Sequence, residues 1–114
     1  MIFDIETYIN KKLPKDVKCI DISYEKLSKK LTYIPNLLQF KNLISLSCQN
    51  NELTSLPELP NSLETLDCRN NQLLSLPKLP ANLLELNCSY NELTSLPELP
   101  ENLLNLECII KLIL

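Results

Sequence analysis

Four cysteines recur at intervals of twenty residues, and cysteine is the side chain with the widest range of chemistry in this sequence. They are Cys48, Cys68, Cys88 and Cys108, and a fifth, Cys19, lies outside the interval. A zinc site needs four ligands placed around one point at about 2.3 Å. Residues repeated at equal intervals on parallel strands instead form a line with a spacing of about 4.8 Å. The spacing therefore favours core packing of the four repeated cysteines over a metal site.

Other residue types that catalysis needs are missing from the composition. The chain has no His, no Gly and no Trp. His is the commonest general base, and Gly is required where a phosphate- or dinucleotide-binding loop takes a positive φ. Lys18 precedes Cys19 and favours its thiolate, but a nucleophilic cysteine also needs a base. The sequence predicts a protein that is not an enzyme, with no catalytic residue, no cofactor and no metal, in which Cys19 is an incidental surface thiol.

Length and charge set further bounds. The 114 residues, 45% of them hydrophobic and with a net charge of −3, suffice for one small soluble domain. Residues 1–10 are acidic and interrupted, so no targeting leader is expected, and no run of 18 apolar residues could span a membrane. An odd number of cysteines without a secretory signal favours a reducing compartment, the cytoplasm. Neighbouring repeated cysteines come within disulfide range, yet in that compartment they are expected to remain buried thiols.

A twenty-residue repeat positions these cysteines. Residues 43–53, 63–73 and 83–93 each match L-x-x-L-x-C-x-x-N-x-L and continue as x-x-L-P-x-L-P. The alternation in Leu46-Ser47-Cys48 predicts a short strand with Leu and Cys on one side. The prolines disfavour a helix and predict an extended, polyproline-like return path. One asparagine per repeat is expected to bond the backbone of its own turn and of the adjacent coil; these are Asn51, Asn71 and Asn91.

The pattern over about residues 17–108 resembles the leucine-rich repeat family. It is most similar to the shortest, twenty-residue class with the L-P-x-L-P tail, known from secreted effectors of bacterial pathogens and from repeat proteins of giant DNA viruses. The resemblance implies a leucine-rich repeat solenoid with short parallel β-strands on the concave face and an extended convex side. It also implies binding of a protein partner, in the cytoplasm of a host cell if the chain acts as such effectors do.

Two parts of the chain are predicted. Residues 1–16 form an N-terminal helical cap, because Ile2, Ile5, Ile9 and Leu13 recur at near-helical spacing before Pro14. Residues 17–114 form the repeats, comprising one 26-residue unit, three 20-residue units and one partial unit. A shift of 26 residues aligns the first unit with the second, and it pairs Val17, Ile20, Ile22 and Leu27 with Leu43, Leu46, Cys48 and Leu53.

Outward strand positions differ between otherwise uniform units, and a solenoid presents its binding surface there. They are polar and mildly acidic, with tyrosine and arginine as candidate anchors. A single outward arginine and the absence of a basic stripe argue against nucleic acid. The predicted partner-binding residues are Asp67, Arg69, Glu85, Asn87, Tyr90 and Tyr24.

The leading prediction is a non-enzymatic protein–protein interaction module. One alternative is the substrate-recognition part of a ubiquitin-ligase-type effector system whose catalytic domain is absent from this chain. Another is a truncated repeat remnant without a partner. The apolar residues near position 110 also predict self-association through residues 103–114, which Ile110→Lys with Leu112→Lys would weaken.

Overall fold

The computed structural model describes residues 2–110 and contains eight short secondary-structure elements. Near the N-terminus, helix α1 (Ile5–Thr7) runs directly into a π-helical segment (Tyr8–Lys12), and helix α2 (Tyr24–Leu27) follows the first strand. The strands are β1 (Cys19–Asp21), β2 (Ser45–Ser47), β3 (Thr65–Asp67), β4 (Glu85–Asn87) and β5 (Asn105–Glu107).

The five strands form one parallel sheet in chain order. Each strand pairs with the equivalent residues of the next, so that Ile20 lies opposite Leu46 and Leu46 lies opposite Leu66. We number the coils 1 to 5 from the strand that each contains, beginning at residues 17, 43, 63, 83 and 103. The register confirms the repeat spacing, the alignment of the first strand and the solenoid fold.

The core lies between the sheet and the proline-containing segments. Inward strand residues Leu46, Leu66 and Leu86 are only 1–2% exposed. On the return path Leu56 and Leu59 are also buried, beside the prolines that keep this segment out of a helix. Full burial of a leucine contributes about 1.5–3 kcal/mol, so each coil is stabilised mainly by the leucines it shares with its neighbours.

An asparagine ladder (Asn51, Asn71, Asn91) links the coils through buried hydrogen bonds. Asn71 Oδ1 accepts from the Leu53 N–H at 3.0 Å, and its Nδ2 donates to the carbonyls of Cys48 and Cys68, both at 3.1 Å. Asn51 and Asn91 make the same set of bonds one coil earlier and one coil later. The structure confirms the predicted role of these residues, because each amide satisfies backbone groups of two coils at once.

Coil 1 differs from the prediction after its strand. Leu31, not Leu27, takes the place of Leu53, since the Leu31 N–H donates to Asn51 Oδ1 as the Leu53 N–H donates to Asn71 Oδ1. Leu31 is 5% exposed, whereas Leu27 is only partly buried. Four of the six additional residues of coil 1 therefore lie before Leu31, where α2 is inserted with the Ser23 hydroxyl accepting from the Lys26 N–H. The other two lie before Phe40, which is fully buried.

The N-terminal cap is helical, as predicted, but shorter. Asp4 caps the helix by accepting from the Glu6 N–H, so the helix begins at Ile5 and Ile2 is left 92% exposed. Ile5 and Ile9 are buried in the core. Tyr33 donates to Glu6 Oε2 at 3.2 Å, which ties the cap to coil 1. The boundary between residues 16 and 17 stays a prediction.

We expect Asn71→Ala to lower the free energy of unfolding by about 1–3 kcal/mol, because buried backbone groups of two coils lose their partner. Denaturant titration measures the change. Gln72→Ala is the matched control, since Gln72 is the neighbouring amide and is exposed; its effect should stay within about 0.5 kcal/mol. Equal effects of the two substitutions would contradict the structural role of the ladder.

Candidate functional site: the concave strand face

The outward side chains of the strands line a shallow groove across the concave face. Alternation within each three-residue strand turns the middle residue inward and the flanking residues outward. The groove is lined by Ser45, Leu46, Ser47, Thr65, Leu66, Asp67, Glu85, Leu86, Asn87, Asn105 and Glu107. Of the predicted site residues, it brings together Asp67, Glu85 and Asn87.

The groove is acidic. Glu85 and Glu107 are exposed on β4 and β5, and the Asn105 amide donates to Glu85 Oε1 at 3.4 Å. Arg69 lies at the rim, where its Nε is 3.6 Å from Asp67 Oδ2. In this ion pair the charge of Asp67 offsets that of Arg69, the one cationic side chain predicted for the face. The remaining charge of the groove is therefore negative.

Asp67 and Asn87 have a second, structural role that the sequence analysis missed. Asp67 Oδ1 accepts from the Arg69 N–H at 3.2 Å, and Asn87 Oδ1 accepts from the Ser89 N–H at 3.1 Å. Asp21 makes the equivalent bond to the Ser23 N–H in coil 1. A sequence signal existed, since Asp and Asn bond the backbone two residues on wherever a strand turns.

Tyr90 occupies an unusual backbone position. Its φ is 57°, and the equivalent residues of coils 2 and 3, Asn50 and Asn70, have φ values of 61° and 54°. Asparagine tolerates this left-handed region, whereas a bulky aromatic is an outlier there. Asn70 Nδ2 donates to Asn50 Oδ1 at 2.6 Å, and Asn50 Nδ2 donates to Glu25. The next position along this row is Tyr90, whose side chain is 70% exposed.

Tyr24 does not join the other predicted anchors. It lies in α2 and is 44% exposed, with Lys30 Nζ 5.8 Å from the centre of its ring. Three strand spacings, about 14 Å, separate coil 1 from the coil that carries Tyr90. A partner that contacts both tyrosines must therefore extend across the whole face.

The cysteines divide into three environments. Cys48 and Cys68 are free and fully buried, while Cys19 is free and exposed on the concave face, as predicted. Burial raises the pKa of Cys68 to about 12 and raises the pKa of Cys48 well above its ordinary value. These two thiols are therefore protonated at neutral pH and behave as small apolar side chains. Among residues 2–110 no group of three or more cysteines and carboxylates is arranged to hold a metal ion.

Cys88 and Cys108 form a disulfide, which the sequence analysis did not expect. Their Cα atoms lie 4.8 Å apart because they occupy the same position on paired coils, a distance within the usual disulfide range of about 4.4–6.8 Å. The prediction that all four repeated cysteines are thiols was wrong for this pair. The inference had rested on the expected compartment, whereas the register of the strands brings the two sulfurs together.

The stacked parallel strands, the leucine core and the asparagine ladder define a β-solenoid of repeated coils. Residues 41–81 match a family model described as leucine-rich repeats in two copies. The chain has the leucine-rich repeat fold, and its central repeats match the leucine-rich repeat family model, as the resemblance in the sequence implied. No curated protein sequence matches it closely enough to count as a relative. Within residues 2–110 no helix is long and apolar enough to cross a membrane.

Solved structures of bacterial effectors share the fold. YopM from Yersinia enterocolitica is 35% identical with a TM-score of 0.72, and the match covers 86% of this chain and 24% of that one. YopM from Yersinia pestis, described as a leucine-rich effector protein, is 32% identical with a TM-score of 0.63, covering 86% of this chain and 34% of that one. A Shigella effector leucine-rich repeat domain is 30% identical with a TM-score of 0.54, and the match covers 90% of this chain and 53% of that one. The chain thus spans between about a quarter and a half of the chains that it matches.

We expect a thiol reagent to modify Cys19 rapidly in the native protein and Cys48 and Cys68 only after local or global opening. Labelling without reductant keeps Cys88 and Cys108 paired, and peptide mass spectrometry then separates the three free thiols. All three should react in denaturant, which controls for intrinsic reactivity. Equal native rates at Cys19 and Cys68 would contradict the placement of coil 1.

Proposed function

We propose that this chain is a non-enzymatic protein-interaction module that binds a protein partner through its concave strand face. The observation that carries the proposal is the contrast between the two sides of the sheet. The inward residues and the asparagine ladder repeat from coil to coil, whereas the outward residues change. Leucine-rich repeat solenoids are generally non-catalytic interaction scaffolds, and their concave surfaces carry binding.

The charge of the face favours a partner with basic groups at its surface. Asp67 is paired with Arg69, and Glu85 and Glu107 leave the groove negative. Complementary charge speeds association and selects partners more than it adds affinity. A nucleic acid would be repelled by this face, so the partner is a protein.

Tyr90 is the anchor of the proposed surface. An aromatic residue at φ 57° is disfavoured where two other coils use asparagine, and its side chain is 70% exposed. A residue that its backbone conformation disfavours, at an exposed position, points to a role outside folding. Tyrosine is also frequent among residues that dominate binding energy.

The area of the five strands is too small to form a standard protein interface by itself. Five strands of three residues present roughly 240 Å² at the spacings of a parallel sheet, against about 800 Å² per partner in a standard interface. The proposed interface therefore includes the adjoining turns that carry Arg69, Tyr90 and, in coil 1, Tyr24.

The alternative is substrate recognition within a ubiquitin-ligase-type effector system, with the catalytic domain outside this sequence. What supports it is that the similar Shigella chain, of which this chain spans 53%, is described as the leucine-rich repeat domain of an effector. A ubiquitin-transfer assay on this chain, alone and with a supplied ligase, distinguishes this role from simple binding. A repeat remnant without a partner would bind nothing specifically. For any of these roles we propose a cytoplasmic site of action, of the host cell in the effector case.

The paired substitution Glu85→Ala with Tyr90→Asn should abolish recovery of the partner without unfolding the chain. Stability should change by no more than about 0.5 kcal/mol per site, since Glu85 is exposed and asparagine suits the backbone at position 90. Affinity capture from native cytoplasm with quantitative mass spectrometry measures recovery. Asp67 is left unchanged because it holds the turn at Arg69.

Glu58→Ala with Leu74→Ala is the matched control, because both residues are exposed and lie off the concave face. It should recover the same proteins as the unmodified chain. If the concave variant and the control recover identical proteins, binding does not use the concave face.

Self-association through residues 103–114 is a second proposal, and part of that segment, residues 111–114, lies outside the described residues. Within the described part, Leu104, Leu106 and Ile109 are 74%, 41% and 57% exposed. Among residues 2–110, strand β5 pairs on one side only, with β4. An edge strand beside apolar side chains favours pairing with another chain.

Sedimentation velocity should therefore show mass that rises with protein concentration. Leu104→Lys with Ile109→Lys should shift the protein towards monomer, whereas Leu74→Lys, at an exposed leucine of coil 3, should not. A clean monomer at high micromolar concentration would show that this edge does not mediate association.

A further inference from the structure

One position of the repeat is chemically different in the last two coils. Cys48 and Cys68 are free thiols, whereas Cys88 and Cys108, at the same position of coils 4 and 5, are joined. The disulfide is a side-chain cross-link between coils 4 and 5. Its place in the fold raises the question of what else holds coil 5.

The asparagine ladder does not extend to coil 5. Coils 2, 3 and 4 each carry the ladder asparagine three residues after the repeated cysteine, and the equivalent residue of coil 5 is Lys111. Asn91 Oδ1 accepts from the Leu73 N–H at 2.9 Å, and its Nδ2 donates to the Cys68 carbonyl. A lysine ammonium has donors only and no acceptor, so its side chain cannot supply that pair of bonds between coils 4 and 5.

Burial is also weaker in coil 5. Leu106 is 41% exposed, whereas its equivalents Leu66 and Leu86 are each 2% exposed. All three residues of β5 are exposed. Backbone pairing remains, with the Cys88 N–H donating to the Glu107 carbonyl at 2.7 Å and the Asn105 N–H donating to the Leu84 carbonyl at 3.1 Å. Within the described residues, coil 5 is thus attached by strand pairing, the disulfide and the partial burial of Leu103, Cys108 and Ile110.

We propose that Cys88 and Cys108 form a redox modification site, at which the disulfide holds coil 5 on coil 4 and reduction by a dithiol releases it. The disulfide joins coils 4 and 5, the pair of coils for which the sequence offers no ladder asparagine. This inference does not depend on the proposed binding function.

The exchange is balanced by two electrons and two protons. A thiolate of the dithiol attacks Cys108 Sγ, which is partly exposed where Cys88 is fully buried, and the sulfur of Cys88 leaves and takes a proton. The second thiol of the reductant then attacks the reductant's first sulfur, which is bonded to Cys108 Sγ in the mixed disulfide. Cys108 leaves as a thiolate and takes a proton. The reductant ends as a disulfide. A disulfide oxidant such as oxidised glutathione reverses the sequence.

The neighbouring thiol does not compete for the bond. Cys68 precedes Cys88 in the row of repeated cysteines, but its burial raises its pKa to about 12, so it supplies almost no thiolate at neutral pH. The disulfide therefore stays between coils 4 and 5 and does not migrate towards the centre of the solenoid. Release of coil 5 removes Asn105 and Glu107 from the concave groove, which coils 2 to 4 still line.

Amide hydrogen exchange of the full chain, oxidised and then reduced with dithiothreitol at pH 7, tests the proposal. The Cys88 N–H reports on coil 5 through its bond to the Glu107 carbonyl, and the Ile22 N–H reports on the opposite end of the solenoid through its bond to the Ser47 carbonyl. Reduction should speed exchange at the Cys88 N–H roughly 100-fold, which is the ~3 kcal/mol effect of a cross-link closing a loop of this length at about 1.4 kcal/mol per tenfold change. Exchange at the Ile22 N–H should change by less than about threefold, because coil 1 can open while coils 4 and 5 stay folded.

Cys108→Ser under oxidising conditions should reproduce the reduced protein at both amides, and Cys19→Ser should reproduce the oxidised protein. Reduction of the unmodified chain gives the same comparison without any substitution. Equal exchange at the Cys88 N–H in both redox states would overturn the proposal. Two other results would also overturn it. One is a disulfide that the dithiol reduces only under conditions in which the Ile22 N–H also exchanges rapidly, that is, only on global unfolding. The other is an intact mass showing that oxidised glutathione fails to re-form the bond.

Discussion

Coils 1 to 4 depend on buried side-chain amides that satisfy backbone groups the coils cannot pair themselves. A twenty-residue coil has no helix to absorb its N–H and C=O groups, and an unpaired buried group costs about 1–3 kcal/mol. Asn71 Oδ1 takes the Leu53 N–H of coil 2, and Nδ2 gives to carbonyls of coils 2 and 3. This pattern fixes the distance between coils and therefore the strand register. In that register the inward leucines lie opposite their equivalents in the next coil.

The predictable part of the structure is the part that repeats. The L-x-x-L-x-C-x-x-N-x-L pattern places Leu66 inward, Asp67 outward and Asn71 in the ladder, and the structure agrees at each position. The pattern could not place Leu31, because a four-residue insertion shifts the alignment at a point where coil 1 has no ladder asparagine to mark it. Nor does it give the bond in which Asp67 accepts from the Arg69 N–H, since the pattern predicts only that this carboxylate faces outward.

The two end coils of the described solenoid, coils 1 and 5, carry no ladder asparagine of their own and are stabilised in different ways. At coil 1, α2 gives backbone groups their partners locally, with Ser23 as its N-cap, and the chain then returns to the repeat at Leu31. At coil 5, where Lys111 stands at the ladder position, the link to coil 4 is covalent. The disulfide could not be read from cysteine counting, because the number of cysteines and the expected compartment argue against it. The geometry that produces it is the parallel register of β4 and β5, which continues the register of the earlier coils.

The ladder also separates the demands of folding from those of binding. Because the asparagines and inward leucines carry the stability of each coil, most outward residues are free to change at little energetic cost. Asp67 and Asn87 are partial exceptions, since each holds its own turn as well as facing the groove. Tyr90 is the opposite case, because its backbone conformation is better suited to the asparagine found in coils 2 and 3. A residue that folding disfavours and that solvent reaches is therefore a stronger indicator of function than any residue that the fold itself requires.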